Sequence, residues 1–555
     1  MALFEKNILA WIIGLSLVIL AISQGGYSFI TVDTLYKIEI SKMMLNGKMI
    51  YKDLFEVNHP MPTYIIWVAV YVASKIAWLS DVVATKAWLS FLCLLSVILT
   101  HKVMSLTDEY KDHYFRFIFI IALFYVTFLV PMHYAQFSQL GQKSHLFFIL
   151  FLPYLHSFLL TDQQRKQHPY LMLTVGIMAG IGLCVKIFFF AVAFILEGAR
   201  MLNKKSFYSL FRIENIAIAS VAIVFLLSII IFTPEYIRDV IPMARFGYVG
   251  YSITGNYDWL VFLLSISPCF ILVLVFVSIK PALPKYSHLL QVAIAASLVS
   301  ILIQTSKWDH AALPTFSLMM LFVAMVAADI IRKLVADFPR DKSQKFTRSY
   351  LSGIFFLSLT LIYINQSLTH NITHYSANKS KIYAANKVHY FMDLSDEYAH
   401  RGGLYFLNES FTPALQGWIY GNSSLQSYFY SAYMIDGLHR YREVNQYQKS
   451  PQWIKDNLEP VEMKVRDKMV ADLNKQKPAL IIVQAGVRVM DKDKEKRHFR
   501  VNDVDYIQYL KKNARFGKIW QQYQFKEIVE YSEEKEGDLN YQSLPVFLVY
   551  SRKDL

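Results

Sequence analysis

The sequence predicts a polytopic α-helical membrane protein, with about eleven transmembrane helices plus interfacial helices and a soluble α/β domain at the C-terminus. Two observations predict it. Hydrophobic residues fill 55% of the 555 positions and charged residues only 18%, a balance too apolar for a water-soluble chain of this length. Apolar stretches of roughly 20 residues, long enough to span a bilayer, recur from the N-terminus to about Gln366, after which the sequence turns polar, charged and tyrosine-rich. The expected division is 1–367 in the membrane and 368–555 in water.

The first apolar run, Ile8 to Ile22, follows Lys6. It reads as an uncleaved first helix rather than a signal peptide, because the chain keeps re-entering the membrane. Ten further spans are expected near 84–103, 116–132, 145–160, 171–186, 187–203, 215–232, 259–279, 289–305, 311–331 and 350–366. Met61–Leu79 is ambiguous: it is long enough to cross, yet Lys75 interrupts it and Pro60 and Pro62 open it, as in an interfacial helix. Leu171–Arg200 is too long for one span. A single helix would bury the Lys186 ammonium near mid-bilayer at a cost of roughly 2.5–3.5 kcal/mol, so a hairpin with Lys186 at the interface is expected.

With those two choices, Lys102, Lys111, Arg116, Arg165, Lys166, Arg200, Lys204, Lys205, Arg212, Lys280 and Lys285 collect in loops on one side. The positive-inside rule makes that side cytoplasmic, which puts the N-terminus inside and the C-terminal domain outside, with the plasma membrane (a bacterial inner membrane) as the location. The net charge of +14 follows this membrane pattern, and no nucleic-acid partner is expected. Cys93, Cys184 and Cys269 all fall inside apolar runs and read as small core residues. In the C-terminal part, Gly403–Leu407, Ala479–Val483 and Val546–Tyr550 have strand character, and Pro460–Lys475 suits a helix.

Candidate chemistry gathers in the outward loops. Loop 25–61 carries Asp33, an expected helix at Leu35–Leu45, a turn at Asn46-Gly47, and then Tyr51, Asp53, Glu56 and His59 before Pro60. Glu56 and His59, three apart, have the spacing of two ligands on one helical turn for an optional divalent cation, or of a surface salt-bridging pair. The polar insert from His133 to His145 ends in Gln142, Lys143 and His145, suited to hydrogen-bonding a sugar or phosphate. Arg245 and the run Lys307-Trp308-Asp309-His310-Ala-Ala-Leu-Pro314 supply outward cations, which also suit interfacial anchoring.

The order Asp33, helix, Gly47-x-x-x-Tyr51-x-Asp53 and a Pro-flanked apolar helix resembles the first external loop of GT-C glycosyltransferases. These membrane enzymes include protein O-mannosyltransferases and the lipid A aminoarabinose transferase. The Lys307–Pro314 order resembles a late external loop of some bacterial members, and Gly182 followed by Lys186 is similar to a Gly-Leu-x-x-x-x-Lys run at their corresponding hairpin, with shorter spacing here. The resemblance implies a polyprenyl phosphate sugar as donor, an envelope glycan, lipid or protein as acceptor, and Asp33 as the base that takes the acceptor's proton. The leaving group is already a phosphate, so the further requirement is positive charge near it, for which Lys186, Arg245, Lys307, His310, Gln142, Lys143 and His145 are the candidates. Many relatives place a second acid in the loop equivalent to 133–145, and this sequence has none there.

Other classes stay open. An O-antigen ligase-like or polymerase-like enzyme would rely on external Arg and His. A lipid-linked saccharide transporter or flippase would carry polar groups along several spans, whereas the spans here read as nearly free of buried acids. A non-catalytic envelope scaffold would need none of these residues.

Overall fold

The computed structural model describes residues 8–25, 30–133, 139–248, 284–304, 309–336, 388–408, 428–429, 432–444, 452–490, 497–501, 504–529 and 543–555. The chain divides into two compact units, Met1–Thr34 with Tyr64–Leu227 and Tyr257–Tyr375, and Leu35–Thr63 with Ser228–Asn256 and Ser376–Leu555. Most of loop 25–61 thus belongs to the second unit.

The first unit is helical. It contains α1 (Ile8–Gly25), the start of α2 (Val32–Leu45), α3 (Met61–Ala73), α4 (Asp81–Met104), α5 (His113–Phe124), α6 (Lys143–Ser157), α7 (Asp162–Gln167), α8 (Pro169–Cys184), α9 (Phe190–Lys204), α10 (Ile213–Phe232), α11 (Pro284–Gln304) and α12 (Leu313–Ala336). Among the described residues, α4, α10 and Lys285–Gln304 of α11 are long and apolar enough to cross a membrane, and four shorter apolar helices accompany them. The expected spans at 259–279 and 350–366 lie outside the described residues. With 13 residues, α3 reaches only about 20 Å, against roughly 30 Å of hydrocarbon. The run Leu171–Arg200 breaks between α8 and α9, with Lys186 extended at φ −156° and ψ 127°.

Burial separates the helices by role. The central α6 is apolar on nearly every face and buried along its whole length, packing against α4, α8 and α12, as a helix hydrophobic all round must. By contrast α10 exposes Ile223, Val224, Leu226, Ile230 and Ile231, an apolar surface fit for lipid. Close packing of α8 on α10 needs the pair Gly176 and Gly180, four apart. A Cβ there would come within 2.8 Å of Ala217 Cβ and Val221 Cβ respectively, the small-residue seam expected of helices in lipid.

The spans expected to be nearly free of buried acids hold one exception, Glu197, with a second buried acid, Glu214, just before the span expected at 215–232. Glu197 of α9 and Glu214 of α10 are both buried and are held by Arg212, while Glu214 also pairs with Arg165. Tyr154 donates to Glu197 and, at 2.9 Å, to Asn215. The acids went unread because their partners sit in loops, where basic residues are expected anyway.

The second unit holds a five-stranded mixed sheet. The strands are β1 (Leu404–Leu407), β2 (Leu480–Met490), β3 (Arg497–Val501), β4 (Tyr523–Val529) and β5 (Ser543–Arg552), ordered β1-β2-β5-β4 with β3 also paired to β2. β1 runs parallel to Leu480–Val483, and β3 antiparallel to Gly486–Met490. The helices α13 (Val388–Tyr398), α14 (Tyr433–Val444), α15 (Gln452–Gln476), α16 (Tyr506–Lys511) and α17 (Ala514–Trp520) accompany it. Phe391 of α13 seals one face, its ring edge-on to Phe406 at 5.9 Å and Phe547 at 5.4 Å.

Candidate active site

The site is built where the chain enters α2. Thr31 Oγ1 accepts the Thr34 N–H at 3.4 Å, which starts the helix at Val32, earlier than the expected Leu35. Asp33 therefore sits inside the first turn, where the helix dipole favours a carboxylate. Thr34 Oγ1 in turn donates to Leu140 O at 3.2 Å. That bond brings the turn before α6 onto the start of α2, and only glycine fits the contact. Gly141 has φ +80°, and a Cβ on it would lie 2.9 Å from both Leu89 Cδ1 and Thr34 Cγ2, so the position is closed to side chains by conformation and by space.

Gln142 is the N-cap of α6, and its Nε2 donates to Asp33 Oδ2 at 3.1 Å. Lys143, the first residue of α6, is buried. A buried ammonium demands a counter-charge or a ligand. Lys186 donates from Nζ to Gln304 Oε1 at 2.7 Å, and Gln304 Nε2 donates to Ser300 Oγ at 3.2 Å. Ser300 Oγ then donates to Phe188 O at 3.1 Å, tying the chain just beyond Lys186 to α11. The charged side chains that act on Lys186 are Lys143 and Asp33. One carboxylate, two ammonium groups and two primary amides thus share one neighbourhood at the N-terminus of α6, where backbone N–H groups also favour an anion.

His145 serves this turn from behind. Its Nδ1 accepts the Gly141 N–H at 3.2 Å, and Nε2 donates to Thr127 O at 3.1 Å. Both ring nitrogens are therefore engaged by the backbone, which braces the turn rather than presenting the ring to a ligand. The Thr127 carbonyl is available because Pro131, four residues on, has no N–H to give it. The helix widens into a π-turn over Tyr125–Leu129, and Cys93 Sγ reaches the same carbonyl at 3.4 Å.

Of the remaining sequence candidates, three belong to the second unit. Lys307 lies outside the described residues, and His310 falls in the 3₁₀ turn Asp309–Ala312. Arg245 belongs to the second unit, exposed, with its guanidinium 5.9 Å from the Phe246 ring. Glu56 and His59 also belong there. Glu56 Oε1 accepts Asn58 N at 2.7 Å and Asn58 Nδ2 at 2.6 Å, while the His59 ring packs 5.6 Å from that of Tyr236. Among the described residues no group of three or more His, Cys, Asp or Glu is placed to hold a metal ion. Glu56 and His59 alone do not fit a cation site, and no step is derived through one.

One residue and one backbone conformation escaped the sequence reading. Gln304 anchors Lys186, and its only signal was a polar residue ending an apolar helix. Tyr51 is fully buried at φ +70°, a conformation a bulky residue adopts only when over-determined. Its N–H donates to Leu54 O at 2.7 Å, and its OH to Asn58 O at 2.6 Å. Tyr428 OH donates to Tyr51 O at 3.2 Å, and Phe55 N–H to Tyr428 O at 2.8 Å. The second unit thus grips the Tyr51–Phe55 loop. Burial, followed by the nearby Glu56 carboxylate, pushes the Tyr236 phenol up to about 12.

No protein-family model and no curated protein matches the chain. Among solved structures it is similar to ArnT from Cupriavidus metallidurans in the apo state, at 10% identity over 90% of this chain and 98% of that chain, with a TM-score of 0.47. The same protein bound to undecaprenyl phosphate is similar at 10% identity over 98% of each chain, with a TM-score of 0.48. The archaeal oligosaccharyltransferase AglB from Archaeoglobus fulgidus, in complex with an inhibitory peptide and a dolichol-phosphate, is similar at 11% identity over 91% of this chain and 75% of that chain, with a TM-score of 0.42.

Proposed function

We propose that this protein is an inverting glycosyltransferase of the plasma membrane that moves a hexosyl or pentosyl group from a polyprenyl phosphate to an envelope acceptor on the outer face. The observation that carries the reading is the meeting of Asp33 with Gln142 beside the buried Lys143 and the Gln304-anchored Lys186. A carboxylate flanked by two ammonium groups is what this transfer asks for.

In the proposed step, Lys143, Lys186 and the α6 N-terminal amides hold the donor phosphate. The acceptor hydroxyl attacks the anomeric carbon, forming the new glycosidic C–O bond as the C–O bond to phosphate breaks. Asp33 takes the hydroxyl proton, and the electron pair leaves on the polyprenyl phosphate, whose added charge the two lysines stabilise. Gln142 fixes one carboxylate oxygen so that the base is aimed before substrate arrives. In this reading residues 368–555 form an extracytoplasmic domain, and an apolar donor tail explains why the reaction is housed in a membrane chain.

The test compares wild type with Asp33→Asn, purified in lipid and incubated with radiolabelled polyprenyl phosphate sugars and an envelope extract. Transfer that falls roughly a hundredfold or more in the variant, the scale of a lost general base, with donor binding retained, supports the reading. Equal transfer by both removes Asp33 as the base, and no transfer from any donor favours a lipid-linked saccharide transporter or a scaffold.

A further inference from the structure

The second unit contains an open cavity of about 940 Å³ along α15. Its walls alternate in sign: Arg442, Lys455 and Arg466 against Asp456, Glu459 and Glu462. Five of these six lie on α15 at positions 455, 456, 459, 462 and 466, the spacing of one helix face. Three cations and three carboxylates sum to no net charge, which disfavours a strongly anionic or cationic ligand. The polar lining likewise disfavours a lipid tail.

Three of the groups are also held in place. Arg442 and Glu462 form a two-pronged ion pair, with Nη2 to Oε2 at 2.6 Å, so each presents a fixed edge. The Arg466 guanidinium packs over the Tyr509 ring at 5.9 Å, and its buried Nε has no hydrogen-bond partner among the described residues. Pro460 lies inside α15 and lines the same cavity. Having no N–H, it leaves the Asp456 carbonyl four residues back as an extra acceptor. Fixed donors and acceptors of both kinds, in a space at the upper end of small-ligand sites, match a ligand whose every group both donates and accepts.

We infer that this groove binds a neutral saccharide chain, the acceptor glycan of the transfer, which narrows the proposed acceptor to a polysaccharide and rests on that proposed function. The hydroxyls of such a chain pair with Glu459 and Asp456 as donors and with Arg466 as acceptors, without a charge left over.

The test uses the full chain in lipid nanodiscs and measures equilibrium binding of neutral tetrasaccharides (maltotetraose and chitotetraose), an acidic tetrasaccharide of hyaluronan, and a peptide of mixed charge. A neutral tetrasaccharide is expected to bind, and Glu459→Gln and Arg466→Gln are each expected to weaken it at least tenfold. Thermal unfolding of the exposed-site variant Glu459→Gln is expected to match wild type, and Asp33→Asn is expected to bind normally. Failure of both neutral tetrasaccharides to bind, preference for the acidic sugar or the peptide, or unchanged affinity in both groove variants overturns the inference. Binding is read without transfer, so a wild type that transfers no sugar from any donor defeats the proposed function while leaving the groove result to stand or fall alone.

Discussion

Gln142 Nε2 donates to Asp33 Oδ2 at 3.1 Å across 109 residues of chain. The bond depends on two conditions set elsewhere: Thr34 holding Leu140 and a glycine at 141. The carboxylate is thus oriented by the polar turn before α6, where Gln142 supplies an amide and no acid. An amide there keeps Asp33 aimed without competing for the acceptor's proton.

Replacing Gln142 by Leu tests that role. A hydrogen bond to a charged group is worth about 1.5–3 kcal/mol, so kcat is expected to drop roughly ten- to hundredfold, with donor KM little changed. Single-turnover transfer rates check it. A raised donor KM at unchanged kcat would assign Gln142 to donor binding instead.

Lys143 and Asp33 both act on Lys186, and in the proposed step the two lysines hold one phosphate. Lys143→Ala and Lys186→Ala are each expected to cut kcat/KM for the donor by about tenfold or more. Because both address the same group, the double variant is expected to lose less than the product of the two effects. Fully multiplicative losses would mean that the two lysines serve separate partners.

How much of this was legible follows from what each segment must satisfy. Lipid requires long apolar runs and internally bonded backbone, so α4, α10 and the break at Lys186 could be read from residue type alone. Asp33 was legible because an acid-rich loop after an apolar run is conspicuous. Gln304 was not, because one amide at a helix end looks like any interfacial residue until Lys186 is seen on it. His145 looked like a ligand group, and only the carbonyl that Pro131 leaves without a partner shows why the ring is there. The strand β4 was missed because YQFKEIV exposes Phe525 and Ile528 as well as Lys526, so it lacks the alternation by which a half-buried strand is read. The grip of Tyr428 on Tyr51 spans 377 residues and leaves no local pattern.

The buried charges around Glu214 give a stability prediction. Glu214 is shared by Arg165 and Arg212, so Glu214→Gln leaves the buried Arg165 guanidinium short of a counter-charge and Arg212 with Glu197 alone. Removing one partner of a buried ion pair costs about 3–5 kcal/mol, and the variant is expected to unfold at a clearly lower temperature in detergent. Glu214→Gln combined with Arg165→Met, which removes the orphaned charge, is expected to recover part of the loss. No recovery would show that the cluster is already neutralised by other means.

Asp239 gives the pH prediction. Burial alone would raise its carboxyl, but hydrogen bonds from Arg238 and Lys464, together with their charges, hold it below the usual carboxylate value. Lys464 reaches Asp239 Oδ1 at 2.5 Å, joining Tyr236–Val240 to α15 within the second unit. A depressed folded pKa contributes stability that is fully present above the unfolded value, about 3.9, and is lost as pH falls through the folded one. Limited proteolysis of the wild type is therefore expected to speed up between about pH 4.5 and pH 3, with the first cuts near Asp239. Asp239→Asn is expected to cut faster than wild type at neutral pH and to show a flatter acid response, because the group that must be protonated is gone. Lys464→Met keeps an apolar stem of similar length but removes the charge, so it is expected to reproduce the neutral-pH weakness. It should shift the acid transition upward rather than abolish it, since Arg238 still reaches Asp239 through Nε and Nη2 at 3.2 and 3.1 Å. An acid response in Asp239→Asn as steep as that of wild type would locate the titrating latch at another carboxylate.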